Sequence, residues 1–192
     1  MPLEKTFVIF KPDASGLEDV IINEILSLKG IEIINQQYVV TTHSLIKEHY
    51  LSGSQGSSHY GEKYISHHKE ILNTTENITK YGEFVISNLC KYMGNKILLT
   101  VIFEGENAVS KIRGKVGTTE PASAPEDTIR GKYGKDSYLL ADGQGRNILN
   151  LVHCSDSAKE AEREIYLWLY SGLGILFPKF EDVIKVIKKG MS

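Results

Sequence analysis

The 192-residue chain has few cysteines, a single tryptophan, no excess of either charge and no long apolar run. Its two cysteines, Cys90 and Cys154, stand in no metal-ligand spacing. That excludes a disulfide scaffold and a cysteine-based zinc site, and it fits reduced thiols. No stretch approaches the roughly 20 apolar residues that a membrane helix needs. The opening residues lack the basic-then-apolar pattern of a secretory leader, so the expectation is a cytoplasmic protein without membrane association. Lysine and arginine total 22 against 24 aspartates and glutamates, for a net charge of −2. Nucleic-acid binders are usually basic, so binding of nucleic acid is not expected. With 41% hydrophobic and 24% charged residues, the chain has the mix of a globular protein, and its length predicts one domain over residues 1–192.

The most informative stretch is Asn150-Leu151-Val152-His153-Cys154-Ser155-Asp156-Ser157. An apolar approach over residues 148–152 predicts a buried strand. Ser157 and Glu160 form a capping box, and Ala161, Ile165, Trp168 and Leu169 follow at helical spacing. His153 is therefore expected where a strand gives way to a helix, whose free N–H groups favour anions. A histidine there can serve as nucleophile or as general acid and base.

Elsewhere, residues 6–11 predict a strand that ends at Lys11 because Pro12 cannot continue a ladder. On spacing alone, a solvated lysine is the commoner outcome at such a place. Ser15 and Glu18 read as a second capping box, opening a helix with Val20, Ile21, Ile25 and Leu28 on its apolar face. Strands are predicted over residues 31–42 and 96–104, the latter apolar on both faces and so central. Helices are predicted over residues 44–51, 84–93 and 108–115. The resulting order fits an α+β fold, a ferredoxin-like βαββαβ sandwich with a four-stranded antiparallel sheet and helices on one face. Arg113 and Arg130 flank a loop that carries Thr119 and two prolines. Guanidinium forks and a threonine hydroxyl suit phosphate oxygens.

Taken together, these motifs resemble those of nucleoside diphosphate kinases. The matching residues are Phe7-Val8-Ile9-Phe10-Lys11-Pro12-Asp13, Glu48-His49-Tyr50, Arg113-Gly114 with Gly117-Thr118-Thr119-Glu120-Pro121, and Thr128-Ile129-Arg130-Gly131. Asn150, His153 and Ser155-Asp156-Ser157 follow, then Glu160, Glu164-Ile165 and Leu167-Trp168. They occur in the family's order across residues 4 to about 170. The resemblance implies that His153 takes the γ-phosphate of a nucleoside triphosphate as a phosphohistidine and passes it to a nucleoside diphosphate. Lys11 would meet the ribose 3′-hydroxyl and the transferred phosphate, and Tyr50 would turn its hydroxyl toward that phosphate. Arg113, Thr119 and Arg130 would hold phosphates, Asn150 the ribose, and Glu164 with Ser155 would orient His153. Mg²⁺ would be bound through the nucleotide phosphates and not by a protein cage. A homo-oligomer is implied, since family members often form hexamers.

Two segments exceed the usual family length, residues 52–80 and 132–146. The first disturbs the base site. Counting back from Lys91-Tyr92-Met93 puts Val85 where the family stacks the base on a phenylalanine, with Phe84 adjacent; either could make the contact. His59, His67 and His68 in this segment read as a solvated surface cluster. Cys154 places a thiol beside the nucleophile and suggests oxidative sensitivity. In the tail, residues 170–192, Phe180, Val183, Ile184 and Ile187 predict an amphipathic helix packed on its own domain or on a neighbouring subunit. The competing readings are a catalytically weak scaffold of the same fold and, less favoured, a nucleic-acid module.

Overall fold

The fold was analysed in a computed structural model that describes residues 3–53, 56–68 and 70–190; the side chains of residues 187 and 190 lie outside that description. Strand β1 (Leu3–Phe10) ends where Pro12 opens a 3-10 turn, Pro12–Ala14. It pairs antiparallel with β3 (Ile97–Glu106) on one side and with the short β4 (Val152–Cys154) on the other. On its other edge β3 pairs antiparallel with β2 (Ile31–Val40), which pairs in turn with β5 (Ile175–Phe177). Among the described residues the sheet order is β4-β1-β3-β2-β5. The first four strands are the expected ferredoxin-like sheet with β3 central. The fifth comes from the tail and covers part of the β2 edge, which would otherwise leave backbone groups unpaired.

Alternation along β1 and β3 explains the layers. Val8, Phe10, Leu99, Val101 and Phe103 face one core, under α1 (Glu18–Leu26) and α5 (Ala108–Val116). Phe7, Ile9, Leu98 and Ile102 face a second core, under α2 (His43–Leu51), α4 (Thr75–Met93) and α8 (Ala158–Tyr170). Helices therefore cover both faces, where the sequence pattern placed them on one. A strand that is apolar on both sides must be covered on both sides. Trp168 of α8 packs on Phe7 with ring centroids 5.9 Å apart. Each such buried aromatic stabilises the fold by about 2 kcal/mol.

The longer segments are structured. Residues 52–80 contain α3 (Gly56–His67) and the first turns of α4, which Thr74 caps by accepting from the Asn77 N–H at 3.2 Å. The two helices touch backbone to backbone: a Cβ on Gly61 would lie 1.8 Å from the Ile78 carbonyl oxygen, and one on Gly82 would lie 2.1 Å from that of Ser57. Two further helices follow, α6 (Ile129–Tyr133) and α7 (Tyr138–Gly143), the latter inside the second long segment. In the tail, α9 (Phe180–Gly190) buries Val183 and sets Phe180 against Tyr38 at 5.4 Å, so it packs on its own domain. The expected contribution of Ile187 lies outside the described residues.

Two local expectations fail. Ser15 does not cap α1; Leu17 holds the cap position without a side-chain bond, and the Glu18 carboxylate instead accepts the Gly16 N–H at 2.6 Å. Residues 148–151 are not strand, because Leu151 turns the chain in a left-handed conformation, φ 67°. That costs a bulky residue about 1–2 kcal/mol. It is held there by hydrogen bonds from the Leu151 N–H to Asp13 Oδ2, 2.9 Å, and from the Lys11 N–H to the Leu151 carbonyl, 2.8 Å.

Candidate active site

His153 stands mid-strand in β4, opposite Ile9 of β1, with its side chain against α8. It is not at the helix terminus itself, which begins at Ser157; there the hydroxyl accepts the Glu160 N–H at 3.1 Å, as the capping box predicts. His153 Nε2 meets Glu164 Oε1 at 2.8 Å. The Ser155 hydroxyl donates to Glu164 Oε2 at 2.5 Å and accepts the Phe7 N–H at 3.1 Å. Both carboxylate oxygens are thus engaged, and Glu164 is fixed to the sheet through Ser155. Burial alone would raise its pKa, but His153, His49 and the two hydrogen bonds outweigh this and hold it at about 2. An ionised Glu164 accepts from Nε2–H, so the proton sits on Nε2 and the Nδ1 lone pair is left for the cavity.

A second histidine backs this pair. His49 of α2 is 3% exposed, and its Nδ1 accepts the Trp168 indole N–H at 3.1 Å. Its proton is therefore on Nε2, 4.0 Å from Glu164 Oε1. Burial, then the neighbouring His153, push its pKa down to about 3, so it stays neutral. His49, His153 and Glu164 offer ligand atoms within 4.8 Å of one another. Only His153 reaches hydrogen-bond distance of the carboxylate; His49 faces it from 4.0 Å, and with both facing nitrogens protonated the trio is not poised as a ligand set. The Glu48-His49-Tyr50 motif contained His49, but a buried polar partner of the nucleophile has no signature of its own in spacing.

Lys11, at the end of β1, is only 9% exposed, not solvated. Its ammonium donates to Asn150 Oδ1 at 2.7 Å, and Asn150 Nδ2 donates to the Thr119 carbonyl at 2.9 Å. Burial, then the nearby Arg130 charge, bring the lysine pKa down to about 8. Arg130 differs from expectation. Its guanidinium donates to the carbonyls of Asn150 (3.0 Å), Gly117 (2.9 Å), Thr118 (3.1 Å) and Val152 (2.7 Å). Four of its five N–H groups are spent on tying the 117–118 loop to the approach to β4. It cannot offer a full fork to a phosphate without releasing backbone. Arg113 pairs with Asp156 and is partly exposed.

These side chains line one cavity of about 420 Å³, together with Tyr50, Val85, Asn147 and His153. Tyr50 is buried and its hydroxyl lies 3.5 Å from the Met93 sulfur, so its hydrogen bond is directed into the core. Val85 lines the cavity and Phe84 does not: Phe84 is 40% exposed and packs on Tyr64 at 5.8 Å. Cys154 also lines it; the residue is buried, and burial raises its thiol, which lowers the thiolate fraction that the expected oxidative sensitivity would draw on.

The roof comes from the two long segments. His67 stacks on Tyr138 at 4.1 Å, His68 Nε2 lies 3.1 Å from Asp142, and Lys63 Nζ donates to Thr119 Oγ1 at 3.0 Å. The expected solvated cluster is only in part solvated: His67 stacks on Tyr138 yet stays exposed, whereas His59 and His68 are half-buried, His68 against α7. Among the described residues, the carboxylates beside the phosphate residues are engaged with other side chains. Asp156 pairs with Arg113, Glu160 with Arg163, and Glu164 with His153.

No helix of the described residues is long and apolar enough to cross a membrane. A sequence profile of the family described as nucleoside diphosphate kinase matches residues 4–172. A nucleoside diphosphate kinase of Pyrobaculum aerophilum is 37% identical over 176 residues, covering 88% of this chain and 96% of that protein. The crystal structure of an NDP kinase from that organism aligns with a TM-score of 0.80 over 88% of this chain and 97% of its own. A nucleoside-diphosphate kinase from Borrelia burgdorferi, solved with bound vanadate and ADP, shares the fold at a TM-score of 0.69 and 24% identity, over 95% of this chain and 96% of its own. From motifs, geometry and these likenesses, the chain belongs to the nucleoside diphosphate kinase family.

Proposed function

We propose that the protein moves the γ-phosphate of a nucleoside triphosphate to a nucleoside diphosphate by way of a phosphohistidine on His153. The observation that carries this reading is the His153–Glu164–Ser155 chain, with Nε2 spent on Glu164 at 2.8 Å and Nδ1 left toward a cavity lined by Lys11, Arg113 and Arg130. The Nδ1 lone pair attacks the γ-phosphorus. The bond from that phosphorus to the bridging oxygen breaks, and its electron pair leaves with the diphosphate. The imidazolium that forms keeps its Nε2 proton against ionised Glu164, which stabilises the charge. An oxygen of the second diphosphate then attacks, and the N–P bond returns its pair to Nδ1, which gives ping-pong turnover.

The remaining residues position and neutralise, as a loose phosphoryl transition state requires. Lys11 is anchored by Asn150 beside the transferred group. Arg113 can exchange Asp156 for phosphate, and Arg130 holds the 117–118 loop. Val85 and Asn147 give the base an apolar edge and a polar one. Mg²⁺ on the nucleotide phosphates supplies further charge neutralisation. Homo-oligomeric assembly and a cytoplasmic location belong to the same reading and rest on the family likeness. Incubation with Mg²⁺ and γ-labelled ATP should leave acid-labile label on the protein. A nucleoside diphosphate should chase that label, and His153→Ala should carry none. Label that survives on His153→Ala, or a wild type that binds ATP without being labelled, would overturn the reading.

A further inference from the structure

Lys63 belongs to none of the motifs that this chain shares with the family. It lies on α3, inside the first long segment, yet its ammonium reaches Thr119 Oγ1 at 3.0 Å and lines the same cavity as Lys11, Arg113, Arg130 and His153. Its placement is not that of a wandering surface lysine. The α3–α4 pair is locked by the Gly61 and Gly82 backbone approaches, and Ile65, two residues on, is buried in the helix contact.

The charge balance around it is one-sided. Lys63, Lys11 and Arg130 have no carboxylate within ion-pair distance among the described residues; their partners are a hydroxyl, an amide and four carbonyls. Desolvation, then Arg130, with Arg113 adding to it, lowers the Lys63 pKa, while Asp156 opposes the change. Holding buried Lys11 and Arg130 together with half-buried Lys63 without counter-charge is unfavourable unless an anion completes the site. A lysine donates three hydrogen bonds, and Thr119 uses one.

We propose that Lys63 is a phosphate-binding residue that the inserted helix delivers to the nucleotide from the side of the cavity opposite Lys11. This rests on the nucleoside diphosphate kinase reading above and adds to it a cation that the family motifs do not supply. The Thr119 hydroxyl holds the ammonium in place, and its two remaining N–H groups meet oxygens of the phosphates that stay with the nucleoside. Lys63 therefore discriminates by phosphate number: nucleoside di- and triphosphates gain from it, and an unphosphorylated nucleoside does not.

The test is calorimetric titration of the full-length wild type, Lys63→Met and Lys63→Arg with ADP, Mg²⁺-ATP and adenosine. Methionine keeps the apolar stem and removes the charge. A charge-assisted phosphate contact predicts that Lys63→Met weakens ADP and ATP binding about 10-fold or more. Adenosine affinity should be kept, and Lys63→Arg should recover most of the loss. An equal loss for adenosine and ADP would make Lys63 a structural strut of the roof, and no loss for either would make it a bystander; both overturn the proposal. Should Lys63→Met melt well below wild type, Lys63→Gln is read by the same criteria. Phosphohistidine labelling of the wild type is scored separately. A protein that shows the phosphate-dependent loss but takes no label would fail the kinase reading and keep the Lys63 assignment, and the converse pattern would do the opposite.

Discussion

The floor of the cavity is carried by paired strands, whereas its roof is carried by helices from residues 52–80 and 132–146. On the floor, Lys11 ends β1, His153 sits in β4 opposite Ile9, and Ser155 bonds the Phe7 backbone. Sheet pairing fixes these positions, and a one-residue slip would turn His153 out of the site. On the roof, Lys63, His67, His68 and Tyr138 are placed by helix packing and by contacts between α3 and α7. The floor should govern chemistry and the roof should govern binding.

The sharpest way to break that division is at Glu164. Glu164→Gln keeps the shape but cannot stabilise the imidazolium, and it should lower the phosphorylation rate about 100-fold with little change in nucleotide affinity. Stopped-flow labelling beside equilibrium titration would check it. A large loss of affinity with an unchanged rate would erase the distinction.

Next is Gly61→Leu. Its side chain has no room against the Ile78 carbonyl, so α3 must part from α4. KM should rise about tenfold while the rate at saturation falls much less, because uniform binding is what the roof supplies. Steady-state kinetics on a variant that retains the wild-type circular dichroism would decide this.

A smaller effect comes with pH. Lys11 keeps its proton below its pKa of about 8 and loses it as pH rises. For the free enzyme, kcat/KM should therefore decline above about pH 8. The rate at saturating nucleotide should hold to higher pH, since a bound phosphate favours the charged lysine. The same shift acts on stability with the opposite sense. Between about 8 and 10.5 the unfolded chain binds the proton that the folded chain has lost, so this group adds stability as pH rises. A Lys11→Arg variant should flatten the decline in kcat/KM.

The floor could be read in the sequence because its residues sit in short, ordered motifs. Lys11-Pro12-Asp13 marks a strand end, and Asn150 with His153, Ser155 and Glu164 marks the nucleophile and its partners. Nothing in those motifs showed which ring nitrogen Glu164 takes; that depends on the angle between β4 and α8. Nor could they show that Arg130 is spent on backbone carbonyls, since an arginine beside a loop is equally free to face a ligand. The roof was illegible for a different reason. Residues 52–80 are polar, and the α3–α4 contact rests on glycine, which carries no hydrophobic periodicity. His68 looked like surface because Asp142 of α7, which it meets, lies far along the chain. Likewise, β5 is three residues long and owes its existence to the free edge of β2, a tertiary effect with no local trace.

The central claim is that Glu164 fixes the Nε2 proton of His153 and leaves Nδ1 as the nucleophile. Phosphorus NMR of the denatured, alkali-stable phosphoenzyme, trapped after brief exposure to Mg²⁺-ATP, reports which ring nitrogen carries the group. The account predicts phosphorus on Nδ1 of His153 alone. Phosphorus on Nε2, or on Ser155, would contradict it.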